Sequence, residues 1–151
     1  MIMNRGVNPC FDSWFPPGFY HDRPMHHRSA LLWAGILGAT GVIMGAFGAH
    51  ALRETLQEAG HRDAWETASK YQLLHAAALL GFAGWLRTSP SPTSPAARWA
   101  PRLWVAGTLL FSGSLYALSL GGPRWLGPVT PLGGAALIAG WVAAAWSARS
   151  A

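Results

Sequence analysis

Six polar side chains stand in or beside otherwise apolar runs, and they frame the chemistry this chain can do: His50, Gln72, His75, Ser112, Ser114 and Tyr116. An imidazole inside a membrane is costly unless partnered, so it marks either a proton or small-ligand site or a hydrogen-bond hub between helices. The hub is the preferred reading. Two histidines with no nearby carboxylate or cysteine make a poor metal site, and Glu66 falls in a polar surface segment, so no metal is expected. His21, His26 and His27 read as a solvated tail rather than a chelating group. Ser112-Gly113-Ser114 has no acid or base in its own segment. The chain carries no GxSxG, HExxH, P-loop or glycine-rich dinucleotide turn. Neither an enzyme nor a cofactor is expected. The lone Cys10 excludes an internal disulfide and reads as an incidental thiol.

The segments that must position these residues are nearly free of charge. Only 11% of the 151 residues are charged, against about 25% in an ordinary soluble domain. No Asp, Glu, Lys or Arg occurs within 29–50, 71–86, 103–123 or 125–148. A soluble helix needs a polar face and a lipid-facing helix must lack one, so the expected fold is an all-α membrane bundle of four transmembrane helices. The spans are placed at 30–49, 68–86, 103–120 and 129–146. The first, twenty residues long, would cover about 30 Å, one hydrocarbon core. The second reaches that length only if Lys70 snorkels toward the headgroups.

Between the first two spans, residues 50–70 are polar and partly amphipathic, and an interfacial segment is expected there, divided at Gly60. Residues 87–102 hold Ser89-Pro90-Ser91-Pro92-Thr93-Ser94-Pro95 and read as a flexible or polyproline-like linker. Residues 1–24 read as a poorly ordered tail before the four-helix domain of 25–151. A start of translation at Met25 fits the pattern as well as one at Met1.

Four crossings put Arg5, Arg23, Arg28, Arg87, Arg98, Arg102 and Arg149 on one side and Arg53, Arg62, Lys70 and Arg124 on the other. Seven against four places both termini in the cytoplasm. Trp33, Trp85, Trp99, Trp104 and Trp146 are expected as an aromatic belt at that face. The net charge of +5 is scattered singly through connecting segments, so no nucleic-acid partner is expected. The bilayer is the expected environment.

Small residues supply the packing signal. Ala34, Gly38, Gly41, Gly45 and Gly48 share one face of the first span. Gly133, Ala136, Gly140, Ala143 and Ser147 do so in the fourth, and Ala77, Gly81 and Gly84 more briefly in the second. Such stripes let backbones approach where lipid gives no hydrophobic drive. They serve either packing within one bundle, which is preferred, or the seam of a homo-oligomer or larger membrane complex.

The ordered set Gly45-Ala46-Phe47-Gly48-Ala49-His50, Trp65-Glu66-Thr67-Ala68, Tyr71-Gln72, His75-Ala76, Phe111-Ser112-Gly113-Ser114-Leu115-Tyr116, Pro131-Leu132-Gly133-Gly134 and Gly140-Trp141 resembles the YgdD/YwdK-like small bacterial membrane proteins. These are related to the transmembrane-protein-256-like proteins of eukaryotes. The resemblance covers roughly 30–146 and implies a multi-pass protein of the cell (inner) membrane whose biochemical role is uncharacterised. Two functions are carried forward: a structural or accessory component of that membrane, and a small transporter or channel subunit using the outer polar cluster. Small proton-coupled antiporters rely on an intramembrane carboxylate, and the four spans contain none.

Overall fold

The computed structural model describes residues 26–88 and 94–149. The expected tail with Cys10 and His21, the His26 side chain and residues 89–93 of the expected linker lie outside the described residues.

Among the described residues the fold is all-helical. Helix α1 spans His26–Ala49, the short α2 Arg53–Glu58, α3 Arg62–Thr88, α4 Pro95–Ser119 and α5 Val129–Ser147, with a single 3-10 turn at Arg124–Leu126. Two places need glycine. Gly60 adopts φ +68° between α2 and α3, and Gly121 adopts φ +82° after α4, a region that costs side-chain-bearing residues but not glycine. At the second, Gly122 N–H donates to Ala117 O at 2.8 Å and closes the helix end.

Two expected boundaries move. The polar stretch 50–70 is not one surface-lying segment: α3 already begins at Arg62, so Trp65, Ala68 and Ser69 are buried helix residues packed against α1 and α4. Leu56 of α2 is fully buried beside them, which folds α2 over the end of the helices. The linker shrinks as well, because α4 starts at Pro95 instead of Leu103. Ser94 caps it, its Oγ accepting from Ala97 N–H at 3.3 Å, and Pro95 occupies the first turn, where no amide donor is needed.

The register follows from the contacts. Gly48 lies on Trp65, Gly45 on Ser69, Gly41 on Leu73 and Gly38 on Ala76, so α1 and α3 are antiparallel. Gly140 lies on Trp104 and Gly133 on Phe111, so α4 and α5 are antiparallel too. Helix α3 meets α4 between these pairs, with Trp65 against Tyr116 at one end and Phe82 against Trp104 toward the other. Thus α3 and α4 form the centre, α1 packs mainly on α3, and α5 mainly on α4.

The core mixes small apolar residues with one large ring: Ala34, Leu37, Ala76, Leu79, Trp104 and Leu137. Trp104 therefore leaves the expected aromatic belt. It is 2% exposed and packs edge-on to Phe82 and Trp141, whereas Trp33, Trp99 and Trp146 do face outward. Ala77, Gly81 and Gly84 also lie on the exposed side of α3, because its packing face is set by Ala68, Gln72, Ala76, Leu79 and Ala83.

Among the described residues two helical stretches are, by length and composition, apolar enough to cross a membrane, His27–Ala49 and Arg124–Ser147. Helices α3 and α4 are less apolar for a specific reason. They carry Ser69, Gln72, His75, Thr108, Ser112, Ser114 and Ser119, all buried, while Leu74, Leu80 and Leu109 point outward at 57%, 57% and 51% exposure.

Candidate functional site

The site is built where α1, α3 and α4 converge. Gln72 is its hub. Its amide donates to Leu37 O at 3.0 Å and to Thr40 Oγ1 at 2.7 Å, both on α1. Its carbonyl Oε1 accepts from the Tyr116 hydroxyl of α4 at 3.0 Å. Thr40 passes its own proton back to Ile36 O at 2.7 Å, so the chain of donors ends on a helix carbonyl. One side chain thereby ties three helices together, and the pattern fixes which end of the amide is nitrogen.

Around this hub the other polar groups bond to backbone. Ser112 Oγ donates to Ala68 O at 2.8 Å, joining α4 to α3. Trp65 Nε1–H donates to Met44 O at 2.8 Å, joining α3 to α1, and its ring meets Tyr116 edge-on at 4.7 Å. A ring so placed requires Gly48, since a Cβ there would collide with the indole. His61 lies 3.1 Å from Ser119 O through Nδ1, which pins the start of α3 to the end of α4.

His75 belongs to a second group facing α5. Its Nδ1 lies 2.8 Å from Tyr71 O, and its Nε2 lies 3.2 Å from the indole nitrogen of Trp141. A carbonyl only accepts and an indole N–H only donates, so the two partners select the neutral ring with its proton on Nδ1. Ser114 also turns to α5. It donates to Phe111 O at 3.0 Å and accepts from the Thr130 hydroxyl at 2.7 Å.

The six polar residues singled out in the sequence therefore do not form one pocket. Gln72, Tyr116 and Ser112 come together, His75 and Ser114 each bridge to α5, and His50 stands apart, exposed in the turn after α1. His50 and His75 do not share a depth. With Gly48 level with Trp65 and Gly38 level with Ala76, the two histidines are separated by about 15 Å along the axis. The expected second span begins at 68 whereas α3 begins at Arg62, so His75 lies nearly two turns deeper in its helix than that start implies. It also missed Thr40, Trp65, Thr130 and Trp141. A hydroxyl or indole on a neighbouring helix gives no signal until the register is known.

The packing glycines behave as a set. A Cβ on Gly41 would stand 2.9 Å from Leu73 Cδ2 and one on Gly45 3.2 Å from Ser69 Oγ, whereas Gly38 leaves an ordinary 3.8 Å to Ala76. Gly133 meets the Phe111 backbone and Gly140 the Trp104 ring. Gly107, where a Cβ would stand 2.7 Å from Leu137 Cδ2, joins them without having been singled out. Among the described residues no three His, Cys, Asp or Glu side chains gather as a metal site.

Residues 44–134 match the family model described as a protein of unknown function (DUF423). The chain is 40% identical over 111 residues to the UPF0382 membrane protein SAB0533 of Staphylococcus aureus, covering 71% of this chain and 87% of that protein. It is 40% identical over 120 residues to the UPF0382 inner membrane protein YgdD of Escherichia coli K12, covering 78% and 86%. A UPF0382 membrane protein of Schizosaccharomyces pombe is 34% identical over 113 residues, covering 72% and 91%. No solved structure matches the chain. The family model spans more than half of the chain, Gln72 and Tyr116 included, and the chain belongs to the DUF423 family.

Proposed function

We propose that α1, α3, α4 and α5 each cross the cytoplasmic membrane with both termini in the cytoplasm, and that the protein serves there as a structural or accessory component. The observation that carries this reading is the distribution of polarity on the two central helices. Across 71–86 of α3 and 103–119 of α4 the exposed residues are uncharged and mostly apolar, Leu73, Leu74, Leu80, Leu109 and Leu110 among them, while Gln72, Ser112 and Tyr116 are buried and bonded across helix boundaries. Water would favour the reverse, and lipid favours this arrangement. The Escherichia coli relative, named as an inner membrane protein, supports the same reading.

On this reading the polar cluster is interhelical glue. Gln72, Tyr116, Ser112 and His75 all have protein partners, and the carboxylates of these four helices, Asp63 and Glu66, stand only in the first two turns of α3. The second reading, a small transporter or channel subunit, has one observation in its favour: Trp104 Nε1, Thr108 Oγ1 and Ser119 Oγ of α4 are buried without a protein partner. Proteoliposomes loaded with a pH-sensitive dye separate the two. Under an imposed potential the structural reading expects proton flux equal to that of protein-free vesicles. Flux above that level, lost in His75→Ala, would replace it with the transporter reading.

A further inference from the structure

Charge is divided between the two ends of the helix array. Glu54, Glu58, Asp63 and Glu66 all lie on α2 or in the first turns of α3. At the opposite end, where α1 and α4 begin and α3 and α5 finish, the described charged residues are Arg28, Arg87, Arg98, Arg102 and Arg149, with no carboxylate among them. Two of these arginines, Arg98 and Arg102, are exposed and four residues apart on α4, hence on one face. Among the described residues neither is in an ion pair; Arg102 rests over the Trp99 ring at 5.5 Å, a contact that leaves guanidinium N–H groups free.

Both arginines line the mouth of a groove of about 360 Å³ between the parallel helices α1 and α4, which touch each other only slightly. Beyond the mouth the lining is apolar: Ala30 and Trp33 on α1, and Val105, Ala106 and Leu109 on α4. From Arg98 to Leu109 the groove runs about 16 Å along the helix, the depth of one leaflet of a hydrocarbon core about 30 Å thick.

We propose that this groove holds an anionic phospholipid of the inner leaflet, its phosphate on Arg98 and Arg102 and an acyl chain along Val105, Ala106 and Leu109. Charge complementarity selects the occupant. Paired guanidinium groups offer the fork that phosphate oxygens accept, and a basic pocket between spans on the cytoplasmic side is where anionic headgroups bind. Apart from Ser29 and the two arginines the lining is apolar, which suits an acyl chain below a charged headgroup, and the apolar depth has no use for a free anion. The proposal rests on the four-crossing reading, which sets this end among the cytoplasmic headgroups.

Native mass spectrometry of the full chain in mild detergent tests it, with phosphatidylglycerol and phosphatidylcholine titrated separately. Phosphatidylglycerol is expected to bind roughly tenfold more tightly or better. That preference should vanish in Arg98→Gln/Arg102→Gln and persist in Arg53→Gln/Arg124→Gln, which removes the same charge from the other end. Ala106→Phe, which fills the apolar part and leaves both arginines, should also weaken binding. Equal affinity for the two lipids, an undiminished preference in the Arg98/Arg102 variant, or full binding by Ala106→Phe would overturn the proposal. So would displacement of the lipid by millimolar inorganic phosphate, which would show a site for the anion alone. Because the measurement is made in detergent, it does not depend on topology. Correct topology without lipid preference removes only this site.

Discussion

The flanking helices α1 and α5 and the central helices α3 and α4 solve different halves of one problem. The flanking pair are apolar all round and have exposed Leu32, Val42, Leu132 and Ile138. Each brings glycine to the seam, so its partner's backbone or ring can come close. The central pair carry the buried polar groups, and Gln72, His75, Ser112, Ser114 and Tyr116 reach a partner on another helix. Close packing without polarity and polarity without exposure are both ways of holding helices together where burial of apolar surface gives nothing. The comparison teaches that mean hydropathy measures the lipid-facing role only. A helix that is polar inside and apolar outside scores low and still presents an apolar exterior.

The comparison is broken most severely at the α4–α5 seam. Gly133→Leu drives a side chain into the Phe111 backbone, which cannot move aside as a side chain can. Stability in detergent is expected to fall by about 3 kcal/mol or more. Gly134→Leu, one residue round the helix with only the Phe111 ring edge at 3.7 Å, should be nearly neutral. A similar loss at both positions would show that the seam is not where the contacts place it. On the other flank, Gly41→Leu meets the Leu73 side chain, which can yield, so about 2 kcal/mol is expected. Ile43→Leu, on the exposed face of α1, should leave the melting temperature unchanged.

The central helices are probed through their hub. Gln72→Leu keeps the volume but removes all three bonds of the hub and strands the Tyr116 hydroxyl, for an expected loss of about 2 kcal/mol at roughly 0.6–1 kcal/mol per interhelical hydrogen bond. Gln72→Leu combined with Tyr116→Phe should lose less than the sum of the singles, because both act on the same bond. Strict additivity would show that the bond contributes nothing.

The smallest effect belongs to the surface. The Glu66 carboxyl is held below the usual carboxylate range, first by the hydrogen bond from Arg62 and then by Lys70. A lowered carboxylate stabilises the fold above its unfolded value and loses that contribution as pH falls through the lowered one. A slight drop in melting temperature below about pH 4.3 is therefore expected, absent in Glu66→Gln. With 43% of the Glu66 side chain exposed, the effect should be small and screened by salt.

Much of this was legible in the residues, and the reasons are local. The charge-free runs marked the four long helices because each run is a continuous, largely apolar stretch of helical length. The glycine spacings marked α1 and α5 correctly because close approach needs them at every turn. Ala77, Gly81 and Gly84 have the same spacing and face outward, since spacing names a face without saying which neighbour it meets. The start of α3 was misplaced because Arg62, Glu66 and Lys70 look like surface residues; they form a ladder four apart on one side of a helix whose other side is Trp65, Ala68 and Ser69. That shift of about two turns carried His75 away from His50. The hub needed Thr40, whose role depends on the register between α1 and α3.

The central claim is that α3 and α4 cross the membrane as α1 and α5 do, and reporter fusions test it most directly. Fusions after Leu86, Gly122 and Ala151 should report cytoplasm, outer side and cytoplasm in turn. If only the two most apolar helices crossed, α3 and α4 would both remain outside. The fusion after Leu86 would then report the outer side, and that single result would contradict the account.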